Sequence, residues 1–285
     1  MGTNATVSVL GETPDRLVHE AFELLHQLHQ EWSRFEESSD ISRINNANGA
    51  PVFISSHTMH LLKCMQIANE STCGWFNPTL LPLQHQLGDN QSLSSSHISR
   101  IAPQARPYRS LEEIEFLDEQ RIRIPSDMAL DAGGIGKGLA SDLTTQMLMA
   151  KGAASVSVNI GGDIRVACTP DFEHDWNIEV LDTQKSLLNT ISLRNGAIAT
   201  SSSIARKNSS AELATHILKN EVHQDERPRS ASVIASDAMW AEVWTKYVML
   251  APDPFQRLED LGLAAILVID GLEPQYSSNW KEFIS

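Results

Sequence analysis

Basic residues, cysteines and long apolar runs are all scarce in this chain. Lysine and arginine together number 22 against 36 aspartates and glutamates, a formal net charge of −14. Nucleic acids and anionic membranes are held by basic stripes, so this balance argues against both as partners. Only three cysteines occur, Cys64, Cys73 and Cys168, with no C-x-x-C pair. That argues against a disulfide framework or a thiolate metal site and fits a reducing compartment, with the thiols as buried bystanders. The ten histidines show no H-E-x-x-H spacing, and His26 and His29 are expected on the surface of the first helix. No apolar run approaches membrane-spanning length, and no charged leader, apolar h-region or lipidation cysteine precedes the first strand. The expectation is a cytoplasmic chain without membrane insertion.

What is present suits a folded chain with a substantial core. With 41% hydrophobic and 20% charged residues, 285 residues can bury one large core or two modest ones. Residues 5–10 alternate as a strand, and Thr13-Pro14 starts a helix whose stripe is Leu17, Ala21, Phe22, Leu25, Leu28, Trp32 and Phe35. A short strand over 52–54 precedes a helix capped by Ser55 or Ser56 that stops before Gly74. Residues 88–108 are rich in Ser, Gln and Pro and read as a long surface loop. Regular structure resumes over 111–116 and 121–124, followed by a helix over 139–151 and a strand over 156–160. Further strands are expected over 176–181, 190–193, 230–235 and around Ala265, Leu267 and Ile269, with a helix over 237–250. Strands and helices mix without a regular βαβ rhythm, so the fold class is α+β, read as one domain over 1–285.

The densest local signal runs Leu130-Asp131-Ala132-Gly133-Gly134-Ile135-Gly136-Lys137-Gly138, between an expected strand and an expected helix. Glycine amides at a helix start can face an anion, with Lys137 as a mobile charge and Asp131 as a fixed acceptor. It is neither G-x-G-x-x-G nor a Walker motif, since Gly138 follows Lys137. By itself it reads equally as a phosphate cradle or as a tight turn without a ligand.

The order of motifs goes further. Met1-Gly2-Thr3 precedes the first strand; then come Ser39-Asp40-Ile41-Ser42-Arg43-Ile44-Asn45, Gly74-Trp75-Phe76-Asn77-Pro78-Thr79, Asp131 to Asp142, and Val158-Asn159-Ile160-Gly161-Gly162-Asp163. Ala199-Thr200-Ser201, His216-Ile217 and Ala241-Glu242 follow. This series resembles the FAD:protein FMN transferases of the ApbE type over essentially the whole chain. The resemblance implies a flavin-transferase-type domain with a central FAD cleft. It also implies a reaction in which FAD is split at its pyrophosphate, FMN is esterified to a threonine of an acceptor flavoprotein, and AMP leaves, with Mg²⁺ assisting.

Carried over by position, the resemblance implies FAD-binding roles for Met1, Phe35, Trp75, Phe76, Asn77, Asp131, Gly133, Gly134, Lys137, Thr200 and Ile217. It implies His216 and Lys137 as catalytic groups, and Gly134 (through its carbonyl), Glu242 and Thr245 at the metal. Other readings of the same residues are structural: Phe35 as the last member of a core stripe, Trp75-Phe76 as a cap on the core, His216 as a loop histidine.

Three acidic positions of the family pattern are changed. Where the family reads A-D-A-L-x-T, this chain has Ala241-Glu242-Val243-Trp244-Thr245-Lys246; where it reads H-I-I-D-P, this chain has His216-Ile217-Leu218-Lys219-Asn220; and Asn77 replaces an aspartate. Lys219 and Lys246 either bring ammonium groups to the position of the ion or reach out to solvent. Two readings follow: an active transferase, or a weakened relative that binds FAD as a store, sensor or carrier. A redox flavoenzyme is a third, less favoured because the chain shows no hydride-donor dinucleotide site.

Overall fold

The computed structural model describes residues 2–92, 96–203 and 229–285. Its elements in chain order are β1 (Ala5–Leu10), α1 (Pro14–Trp32), α2 (Asp40–Asn45), β2 (Val52–Phe53), α3 (Ser56–Ser71), α4 (Leu81–Gln86), β3 (Glu115–Phe116), β4 (Arg121–Arg123), α5 (Gly136–Ala150), β5 (Ser155–Ile160), β6 (Asp163–Cys168), β7 (Trp176–Leu181), β8 (Leu187–Leu193), β9 (Gly196–Ser202), β10 (Arg229–Ala235), α6 (Ala238–Leu250), α7 (Phe255–Asp260), β11 (Ala264–Ile269) and β12 (Gln275–Tyr276). This is an α+β chain. It divides into two compact units: residues 2–3 and 26–136, and residues 4–25, 137–203 and 229–285, among the described residues. No described helix is long and apolar enough to cross a membrane.

The first unit is mainly helical, with a three-stranded sheet in the order β2-β4-β3. Its buried side chains include Leu28, Ile41, Ile44, Leu61, Leu62, Met65, Leu81, Ile122, Met128 and Leu130. Ser39 and Ser55 cap α2 and α3 by accepting from the amides of Ser42 and Thr58, leaving fewer helix-start donors unpaired. Asn45 clamps the chain ahead of the glycine stretch. Its Nδ2 donates to the Leu130 carbonyl at 2.8 Å, and its Oδ1 accepts from the Leu130 amide at 2.8 Å. These bonds take the place of the expected strand: residues 128–132 are irregular.

The second unit is built on a seven-stranded, wholly antiparallel sheet in the order β1-β5-β6-β9-β10-β11-β12. Gly161 and Gly162 make the β5–β6 hairpin with φ of +63° and +98°, backbone that favours glycine and twists with the strands. Small residues set one face: Ala197, Ala199 and Ala235 of the sheet cluster with Ala238 and Ala241, letting α6 approach closely. On the other face Val166, Ile198, Ile234, Ile266 and Val268 pack with Val180, Ile191 and Trp280. Covered on both sides, β10 is buried at every position, which explains why its sequence does not alternate.

Several sequence expectations need correction. Helix α5 begins at Gly136, three residues early, so Lys137 lies in its first turn. Phe35 lies in a turn beyond the end of α1, and Phe22 is 44% exposed, so neither completes the core stripe. Cys73 is exposed at φ +52°, not buried.

Gly138 shows why α5 opens on glycines. A Cβ there would lie 2.3 Å from the Ala238 carbonyl oxygen and 2.6 Å from its carbon, backbone that cannot swing aside. Gly138→Ala is expected to cost about 1–3 kcal/mol through overpacking, read by urea denaturation. An unchanged midpoint would show that the helix ends separate freely.

Candidate active site

In the first unit the expected residues gather around Arg34. Its guanidinium is almost fully buried, donates to Gln84 Oε1 at 2.6 Å and Asp89 Oδ2 at 3.1 Å, and lies 3.8 Å from Asp131 Oδ1. The same group sits 4.8 Å from the centroid of the Phe35 ring, a cation–π contact that fixes the ring. The Asp131 amide donates to the Pro78 carbonyl at 2.9 Å, tying Asp131 to the Trp75–Pro78 block. Asn77 Oδ1 accepts from both the amide and the hydroxyl of Thr79, at 2.9 and 2.8 Å. Only an acceptor is used there, so an amide serves where the family has a carboxylate. Phe76 is buried and Trp75 half-buried, so Trp75 is the accessible aromatic of the pair. Gly133 is exposed and Gly134 half-buried, and their amides donate to nothing among the described residues. Such amides beside a helix start suit an anion.

In the second unit, four charged groups from three elements meet. Lys137, in the first turn of α5, directs its Nζ to Asp163 Oδ2 and, at 2.7 Å, to Glu242 Oε1. Asp163 is the first residue of β6 after the hairpin, and Glu242 lies on α6. Glu242 Oε2 accepts from the Gly138 amide at 2.8 Å. Lys246 Nζ donates to the Glu242 carbonyl at 2.9 Å and lies 3.6 Å from Oε1. Lys246 therefore turns inward rather than out to solvent. The Thr245 hydroxyl donates to the Glu242 carbonyl at 2.6 Å and meets the Ser201 hydroxyl at 2.7 Å, and Thr200 Oγ1 meets Ser232 Oγ at 2.8 Å. Asp163 Oδ1 is buried without a partner among the described residues.

These contacts set the charge states. Burial works against the Lys137 ammonium, but the attraction of Asp163 and then Glu242 outweighs it and holds the pKa above the ordinary lysine range. Burial lifts Asp163 to about 6 against the pull of Lys137. Burial also works to lift Glu242, yet Lys137 and Lys246 overcome it and hold that carboxyl below its usual value. Burial lowers Lys246, with Glu242 pulling the other way.

The ApbE family model matches residues 1–267. This chain belongs to the ApbE family. A relative from Vibrio cholerae serotype O1, named FAD:protein FMN transferase, is 23% identical over 92% of this chain and 83% of its own length. One of the same name from Treponema pallidum is 27% identical over 72% of this chain and 63% of its own length. The fold matches the crystal structure of the ApbE protein from Thermotoga maritima with a TM-score of 0.82 and 24% identity, covering 100% of this chain and 96% of that one. It also matches the apo flavinyl transferase ApbE of Pseudomonas stutzeri with a TM-score of 0.76 and 20% identity, covering 100% and 95%.

Of the residues singled out from the sequence of this ApbE-family chain, Phe35 and Asp131 share one cluster through Arg34, and Lys137, Glu242 and Thr245 share another. Met1, His216, Ile217 and Lys219 lie outside the described residues. Sequence reasoning did not single out Arg34, Asp142 or Asp163. Asp142 and Asp163 end two of the motifs quoted for the resemblance, so the signal was present; Arg34 had only its place beside Phe35.

Asp142 has a defined task. Its two carboxylate oxygens accept from the amides of Ala238 and Met239, each at 2.8 Å, at the start of α6. A carboxylate there also meets the positive helix end. Asp142→Ala is expected to lower stability by about 1–2 kcal/mol, as loss of a cap does. The check is urea denaturation; a variant as stable as the parent would contradict the assignment.

Proposed function

We propose that the chain is a flavin transferase that cleaves FAD and attaches FMN to a threonine of an acceptor protein, releasing AMP. The observation that carries the reading is the family match over residues 1–267, together with relatives named FAD:protein FMN transferase. In the reaction the threonine oxygen attacks the FMN-side phosphorus. The bond from that phosphorus to the bridging oxygen breaks, AMP departs with that oxygen, and the hydroxyl proton is released. Catalysis of such a transfer is positioning and charge neutralisation.

The chain's residues are assigned accordingly. Asp131 receives the flavin nucleotide, and the Gly133 and Gly134 amides donate to phosphate oxygens. Phe35 and Trp75 offer aromatic faces to the ring system, with the Phe35 face fixed by Arg34. Asn77 orders the turn beside them. The catalytic role of Lys137 and the FAD-binding role of Thr200 rest on the resemblance, and the Lys137 ammonium is held by Asp163 and Glu242. Met1, Ile217 and the acid–base role of His216 rest on the resemblance.

Mg²⁺ does not fit the residues present. Both Glu242 carboxylate oxygens are engaged, by Lys137 and by the Gly138 amide.

The test is to incubate the full chain with FAD and a threonine-containing acceptor protein. The expected result is a mass gain of one FMN on the acceptor with AMP released in equal amount. Intact FAD bound by the chain, with the acceptor unmodified, would favour the store, sensor or carrier reading instead.

A further inference from the structure

We propose that the ammonium groups of Lys137 and Lys246 neutralise the carboxylates of Asp163 and Glu242, so that this cluster takes no divalent cation and works metal-free. The argument begins with charge. Two buried carboxylates facing each other across α6 and β6 attract cations, and two lysines from the chain itself supply an equal count. The four groups sum to zero. A dication entering there would face two ammonium groups with no uncompensated anion to hold it.

Geometry points the same way. Mg²⁺ requires a near-octahedral set of oxygens at short distance, including one or two carboxylates free to bind it. Glu242 Oε1 accepts from Lys137 at 2.7 Å with Lys246 at 3.6 Å, and Oε2 accepts from the Gly138 amide at 2.8 Å. Asp163 Oδ2 is taken by Lys137. Of the four oxygens of these two carboxylates, that leaves Asp163 Oδ1 open among the described residues, which is short of a coordination set. The Thr245 hydroxyl donates its proton to the Glu242 carbonyl within α6, and its oxygen meets the Ser201 hydroxyl at 2.7 Å. Lys246 lies one turn beyond Glu242 and bonds to the same carbonyl, fixing its ammonium beside the carboxylate.

An ammonium is a compact point charge with three donors and can neutralise oxygens without coordinating them. It is part of the chain and cannot be stripped by a chelator. Only the consequence for turnover rests on the flavin-transferase reading; the exclusion of the ion stands on the cluster alone.

The test is direct binding of Mn²⁺, a spin-active stand-in for Mg²⁺, followed by EPR on the full chain. Wild type is expected to show no saturable Mn²⁺ site. Lys246→Thr combined with Glu242→Asp is expected to gain one, with affinity at least about tenfold above any residual binding by wild type. Circular dichroism checks that the variant is folded, and Lys246→Thr alone, which leaves the Glu242 bonds to Lys137 and Gly138 in place, is the second variant. One Mn²⁺ held by wild type and displaced by Mg²⁺ would overturn the proposal. So would a folded double variant that gains no site, since Lys246 and Glu242 would then not be what keeps the ion out; Lys246→Thr alone, with Glu242 still bonded to Lys137 and Gly138, is expected to bind Mn²⁺ more weakly than the double variant. FMN transfer is read separately with and without chelator. Chelator-insensitive transfer supports the proposal, whereas chelator-sensitive transfer overturns it. Absence of transfer under both conditions counts against the flavin-transferase reading, and the Mn²⁺ titration still decides this one.

Discussion

The buried ammonium of Lys137, held between Asp163 and Glu242, is the interaction on which the rest of the second unit's site depends. It joins the first turn of α5 to the start of β6 and to the inner face of α6. Neither carboxylate is tolerable alone in that position, because desolvation would force a proton onto it. The neighbouring features serve this junction. Gly138 lets the two helix ends approach and gives its amide to Glu242, Asp142 caps α6, and the Gly161-Gly162 hairpin delivers Asp163.

Charge then explains the departures from the family pattern. Glu242 is long enough for its carboxylate to reach both Lys137 and the Gly138 amide. Putting Lys246 one turn later gives that acid a second cation. With Lys137 and Lys246 both beside Glu242, the buried carboxylates of this cluster are matched by an equal number of ammonium groups. In the first unit the same logic applies to Arg34, whose single guanidinium holds Asp89 near Asp131 and stacks on Phe35.

Much of this was legible in the sequence, and the failures have physical causes. Strands β1 and β7 and the helix capped by Ser55 follow from alternation and capping alone. The strand expected before Asp131 did not form because Asn45, far away in sequence, takes up both the amide and the carbonyl of Leu130. Phe35 sits at helical spacing, yet α1 ends at Trp32, and periodicity carries no stop signal there. Lys137 was legible as a charge in a glycine-rich turn, but its partners were not. Asp163 and Glu242 lie far along the chain, and only the sheet and α6 bring them together. The inward turn of Lys246 was likewise invisible, since a lysine on a helix reads the same whether it faces solvent or an acid.

The most direct test of this account is the stability of Lys137→Met against wild type as a function of pH. Without the ammonium, the buried carboxylates are raised above their unfolded value near 4. The variant should then be most stable in acid and lose stability as pH rises through the raised values. The gap to wild type should widen toward neutral pH, reaching about 3–5 kcal/mol, the cost of breaking a buried pair. A gap of the same size at every pH would contradict the account, because Lys137 would then contribute through packing and not through its charge.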